Sequence, residues 1–145
     1  GTGMGSMLAA NAMPGVFCGL VIDPTDAFLF SQINAGNAMA MPYAKGFGWA
    51  AELNLQDCFR KILENKPGEG YPKERAEIMA KNRGVLADLK AATCKDMLSV
   101  LKDVDQSLLK SAISGEKFKD LFFENSQDEE ISAYLKGVLN ETVPA

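Results

Sequence analysis

Tyr43, Phe47 and Trp49 stand within seven residues of one another, and Lys45 among them is the first basic side chain in the sequence. Aromatic rings supply rigid, amphipathic contact area, and a lysine between them can anchor an anion or, once desolvated, act as a reactive amine. Phe17, in an apolar lead-in, belongs with them. Phe17, Tyr43, Lys45, Phe47 and Trp49 are the candidate partner- or ligand-binding residues, and the same 43–49 stretch also reads as a loop that plugs one end of a core.

Carboxylates offer a second chemistry. Glu52 and Asp57 follow the aromatic loop closely, and paired carboxylates can move protons, although acids in a first helical turn are explained equally well by the helix dipole. The same holds for Asp128, Glu129 and Glu130. Asp103, Asp105 and Ser107 imitate the start of a calcium loop, but Leu108 occupies the required glycine position and Ser114 the place of the bidentate glutamate. No metal site and no cofactor are expected.

The chain has no histidine, which removes Ser-His-Asp and Cys-His triads and histidine-containing zinc sites. Cys18, Cys58 and Cys94 lack any CxxC spacing; they read as buried thiols, or as a Cys58–Cys94 disulfide between neighbouring helices beside one free thiol. Gly46 to Gly48 lacks the third glycine and the preceding strand of a dinucleotide turn. With a net charge of −4 and no basic run, nucleic acid is disfavoured as a partner.

Residues 1–44 contain no lysine or arginine and only two acids, Asp23 and Asp26. Such a front has to be hidden against the rest of the chain, a partner or a membrane. Its longest apolar stretch, residues 7–22, is broken by Asn11, Pro14 and Gly15, so no membrane span is expected. Gly1 to Ser6 read as an appended remnant and are set apart from the fold. Ala10-Asn11-Ala12 has the small-x-small form of a signal-peptidase site, so export with a leader removed stands beside a cytoplasmic location.

The remaining 139 residues, 7–145, suit one domain. Asp23-Pro24 is a helix start, and the apolar run from Phe28 to Met41 predicts a central helix near residues 24–41, ended by Pro42. A helix capped by Asn54 carries Leu55, Phe59, Ile62 and Leu63 on one face until Asn65-Lys66-Pro67-Gly68 stops it. Helical spacing resumes after Pro72 and runs to Val104, as one helix or as two. Shorter helices follow over 106–113 and 116–124, and a capping box at Ser126 and Glu129 opens the last, with Ile131, Tyr134, Leu135, Val138 and Leu139 in a stripe. Only residues 16–22 resemble a strand.

The fold expected from these patterns is all-α, a compact bundle of five to six helices round an apolar central helix. The function expected is that of a non-enzymatic binding protein, engaging a protein partner or a second copy of itself through apolar helix faces and the aromatic loop. A carrier holding an apolar small molecule, a lipid or pigment, in a cavity lined by the uncharged front is the alternative.

Overall fold

The computed structural model describes residues 1–46 and 48–140. The chain divides into two compact units, residues 1–94 and residues 95–145, where the sequence suggests one domain.

In the first unit, Asp23 sets the start of a helix as its type predicts. Its Oδ1 accepts from the Thr25 and Asp26 amides at 2.8 and 2.9 Å, and Pro24 takes the first helical position. The helix does not continue to Met41. α2 covers Pro24–Leu29, widens into a π-helical turn over Phe30–Asn34, and stops at Ala35, which adopts a left-handed φ of 48°. Ala38–Ala40 is a strand, β2, paired in parallel with β1, Cys18–Leu20, in the register Cys18↔Ala38, Gly19↔Met39, Leu20↔Ala40. The expected all-α bundle is therefore corrected to a mixed fold whose centre is a β–α–β unit.

Two asparagines hold this unit in register. Asn37 accepts from the Phe17 amide and donates to the Gly15 carbonyl, both at 2.8 Å, which ties the lead-in of one strand to the lead-in of the other. Asn11, at the end of α1 (Met4–Asn11), grips the other edge of β1: its Oδ1 accepts from the Cys18 amide at 2.9 Å and its Nδ2 donates to the Cys18 carbonyl at 2.8 Å. A side-chain amide thus stands where a further strand would pair.

The core of the unit is small. Val21, Ala27 and Cys58 are wholly buried, with Phe30, Met39, Met41 and Ile62 packed round them. Cys58 comes from α3, Ala51–Leu63, which starts before Asn54; the Asn54 side chain instead donates to the Ile22 carbonyl at 2.9 Å. A 3₁₀ turn over Lys73–Arg75 leads into α4, Ala76–Thr93. No side chain of α4 is buried. Its inward polar contacts are made by cations: Arg83 donates to the carbonyls of Ile33 and Gly68 at 2.9 and 3.2 Å, and Lys90 to that of Asn11 at 2.6 Å; Ala76 and Met79 are half-buried, while Ile78, Val85, Leu86 and Leu89 are exposed.

The second unit is helical: α5 Met97–Asp103, α6 Gln106–Ile113, α7 Glu116–Asn125 and α8 Glu129–Asn140. The long stretch after Pro72 is thus two helices, broken at residues 94–96 where Asp96 caps α5. The apolar stripe of α8 supplies buried Leu135 and Val138, which meet Leu109 and Ile113 of α6. The cap of α8 is Asp128, whose Oδ1 accepts from the Ile131 amide at 2.9 Å, rather than Ser126.

Candidate functional site

Both strands of the first unit run the same way, so their carboxyl ends form one edge, the usual place for ligands in open parallel sheets. Three segments converge there. Beyond β1 lie Ile22, Asp23 and the start of α2; beyond β2 lie Met41, Pro42 and Tyr43. The third is Gly1-Thr2-Gly3, which leads into α1. The Gly1 carbonyl accepts from the Tyr43 and Ala44 amides at 2.7 and 2.8 Å.

Gly3 is the N-cap of α1, with φ 81°. A Cβ built there would lie 2.7 Å from Leu20 Cδ1 and 3.0 Å from the Met41 carbonyl carbon, so backbone conformation and close packing both require glycine. No side chain caps the helix and no acid stands in its first turn. The amides at this end of α1, with the dipole behind them, form a donor cluster suited to negative charge.

The acids nearby are already engaged. Asp23 caps α2, and Asp26 Oδ2 accepts from the Ile22 amide at 3.1 Å. Burial pushes the Cys58 thiol above its ordinary pKa, and the negative charges of Asp23, Asp26 and Asp57 push the same way. The thiol therefore stays protonated and packs as an apolar group.

Of the residues singled out in the sequence, Tyr43 and Lys45 lie at this edge. Lys45 lines a seam with Met41, Pro42 and Asn54 that encloses about 30 Å³, room for roughly one water molecule. Trp49 is fully exposed, and Phe47 falls outside the described residues. Phe17 lies at the amino ends of the strands, where its ring takes the Lys90 ammonium 5.4 Å from its centroid. The four described ones are not all brought together. Cys18, Cys58 and Cys94 are all free thiols. Among the described residues no cluster of Cys, Asp and Glu could hold a metal ion, and no helix is long and apolar enough to cross a membrane.

A larger cavity of about 590 Å³ lies beside β2, walled by Phe30, Met39, Phe59, Ile62 and Leu63, with Asn37 and Asn65 as its polar lining. It offers little to a hydroxylated ligand. The polar edge is the better site.

The sequence reading missed Gly1–Gly5, taking residues 1–6 as a remnant, whereas they are bonded into the first unit. The signal is present in the residues: a G-T-G-x-G turn opening a run of small helix-forming residues is a pattern for cradling anions, and reading residues 1–6 as an appended remnant hides it.

The comparisons with known proteins bear on the same region. A family described as Ribose/Galactose Isomerase matches residues 1–65, and one described as Ribose-5-phosphate isomerase matches residues 92–138. A 4-deoxy-L-threo-5-hexosulose-uronate ketol-isomerase, crystallised with a tartrate, superposes with a TM-score of 0.92 and 53% identity over 97% of this chain. The chain is similar to sugar isomerases along nearly its whole length. A ribose-5-phosphate isomerase from Vibrio parahaemolyticus superposes with a TM-score of 0.91 and 47% identity over 96% of the chain. The chain spans 66% of the length of each of these two proteins. A search of curated proteins gave no match.

These sugar-isomerase likenesses correct four expectations. The fold is an α/β, Rossmann-like isomerase fold and not an all-α bundle. The reading as a non-enzymatic binding protein is overturned, since the neighbours at 53% and 47% identity are enzymes. A protein partner and self-association are no longer what the apolar surfaces imply. The carrier of an apolar lipid or pigment falls too, because the molecules acted on by the neighbours are sugar derivatives.

Proposed function

We propose that this protein interconverts aldose and ketose forms of a sugar derivative, with the Gly1–Gly5 turn and the amino end of α1 stabilising the negative charge that develops on the sugar oxygen. Such an isomerisation takes a proton from the hydroxyl-bearing carbon beside a carbonyl and returns one to the carbonyl carbon, by way of an enediolate, so that the carbonyl changes places with the hydroxyl. Donors aimed at that oxygen lower the barrier because its charge grows in the transition state.

The observation that carries this reading is the uncapped amino end of α1 at the carboxyl edge of the parallel strands. Neutral amides suit a charge that appears only during reaction, and Lys45, at the same edge beside Met41 and Pro42, can meet a permanent one such as a phosphate or carboxylate. These 145 residues supply no histidine as the proton-transferring base. Asp23 and Asp26 are not assigned that role, since Asp23 caps α2 and Asp26 accepts from the Ile22 amide.

The test is to incubate the protein in D₂O with ribose 5-phosphate and, separately, with the 4-deoxy-hexosulose uronate, following both by NMR. Appearance of the isomer with deuterium at the carbon next to the carbonyl supports the proposal. Neither isomerisation nor exchange with either sugar overturns it.

A further inference from the structure

Helix α1 presents its donors without the usual means of being held in place. None of its side chains is fully buried, Met7 and Ala10 being half-buried, so core packing alone holds it loosely. Its amino end is tied through the Gly1 carbonyl to Tyr43 and Ala44. Its carboxyl end is tied through one residue. The Asn11 side chain makes both of its bonds to the backbone of Cys18 in β1, and the Asn11 carbonyl accepts from Lys90 Nζ, 79 residues away on α4. Lys90 is itself steadied by the Phe17 ring, 5.4 Å away.

We infer that Asn11 is a positioning residue for the isomerase site and that Lys90 completes the clamp; this rests on the function proposed above. Asn11 lies at the far end of α1 from the donors, an arm of about 12 Å at 1.5 Å per residue. A tilt of about 5° at the clamp swings the Gly3–Ser6 amides by roughly 1 Å, and a misplacement of that size costs up to about a hundredfold in rate. The energetic role of the clamp is orientation: it does not touch the sugar, and it adds no apolar contact. A bidentate bond fixes direction as well as distance, which a single hydrogen bond or an apolar contact at this position would not do.

The experiment uses Asn11→Ala, Lys90→Met and Lys90→Arg in the full chain. Asn11→Ala and Lys90→Met are expected to lower kcat about tenfold or more while KM changes less than about twofold. Lys90→Arg, which keeps a donor to the Asn11 carbonyl, is expected to restore most of kcat. In ¹⁵N spectra of the two damaging variants, the amides of Gly3 to Ser6 are expected to shift while those of Leu135 and Val138 stay. If the wild-type protein turns over neither sugar, the function proposed above fails and the amide shifts alone decide the clamp. If the wild-type protein is active and Asn11→Ala keeps its kcat, or the Gly3–Ser6 amides do not move, the inference is overturned. Should Asn11→Ala not fold, the Lys90 pair decides alone.

Discussion

The ring of Phe30 occupies the space that a side chain at Gly36 would need: a Cβ built on Gly36 falls 1.9 Å from Phe30 Cζ. The same ring lies against Gly19 on β1, 2.6 Å from where its Cβ would stand. One aromatic side chain in the π turn thus wedges between a strand and the loop that returns to its neighbour. The widened helical turn delivers the ring to that place.

Gly36→Ala should therefore destabilise the first unit by about 2 kcal/mol, because the ring has to leave its rotamer or the loop has to move. Urea unfolding followed by circular dichroism measures it. An unchanged midpoint would mean that the ring gives way freely.

Gly3→Ala should act on function first. The residue at that position holds a φ of 81°, and its new Cβ would press on Leu20 and on the Met41 backbone. The turn has to shift, taking the α1 amides with it. Turnover of whichever sugar is accepted should fall at least tenfold with a smaller change in KM. Equal kinetics in variant and parent would remove the turn from the mechanism.

Cys58 gives a pH prediction with a definite sign. Burial, aided by Asp23, Asp26 and Asp57, holds its thiol above the ordinary value in the folded protein. The unfolded chain releases the same proton at about pH 8.5. Below that pH both states hold the proton, so Cys58 adds no slope. Above it the unfolded state holds fewer protons, and stability falls as pH rises toward the folded pKa. Urea midpoints of the parent should therefore drop between pH 8 and 10 more steeply than those of Cys58→Ala; parallel slopes would refute the assignment.

In the second unit, Asp128→Ala should cost about 1 kcal/mol, the usual loss for an N-cap acceptor. Ser126→Ala should cost less, because the Ser126 hydroxyl bonds the Asp128 carbonyl and the Ser132 hydroxyl rather than an amide of the first turn. Thermal melts of the two variants rank them. The reverse order would favour the capping box that the sequence suggests.

What could be read from the sequence was local. Asp23-Pro24 fixes the start of α2, and the Ile131-to-Leu139 stripe fixes α8, because a cap or a 3.6-residue period is a short-range pattern. The two strands were not legible in the same way. Each is three residues long, Cys18-Gly19-Leu20 and Ala38-Met39-Ala40, too short to show alternation, and neither holds a β-branched residue. Ala38 to Ala40 favour helix by propensity, and only their pairing with β1 overrides it. The donor cluster was hidden for another reason: backbone amides leave no mark on residue type except the glycines that expose them.

The uncharged front was legible as a composition but not as a cause. Its residues form α1, both strands and the crossover between them, and the edge they make presents backbone amides. The reactive side chains stand round Lys45 and Trp49, whereas the convergence of Gly1 with Tyr43 depends on contacts across 42 residues of chain.

Helix α4 is held by two inward cations and turns Ile78, Val85, Leu86 and Leu89 away from them. Its hydrogen bonds to the rest of the first unit therefore rest on two letters of its sequence. Substitutions on the outer face of α4 that keep the helix, Arg83 and Lys90 leave those bonds to Ile33, Gly68 and Asn11 in place, so this surface can be rewritten without touching the ties beneath it.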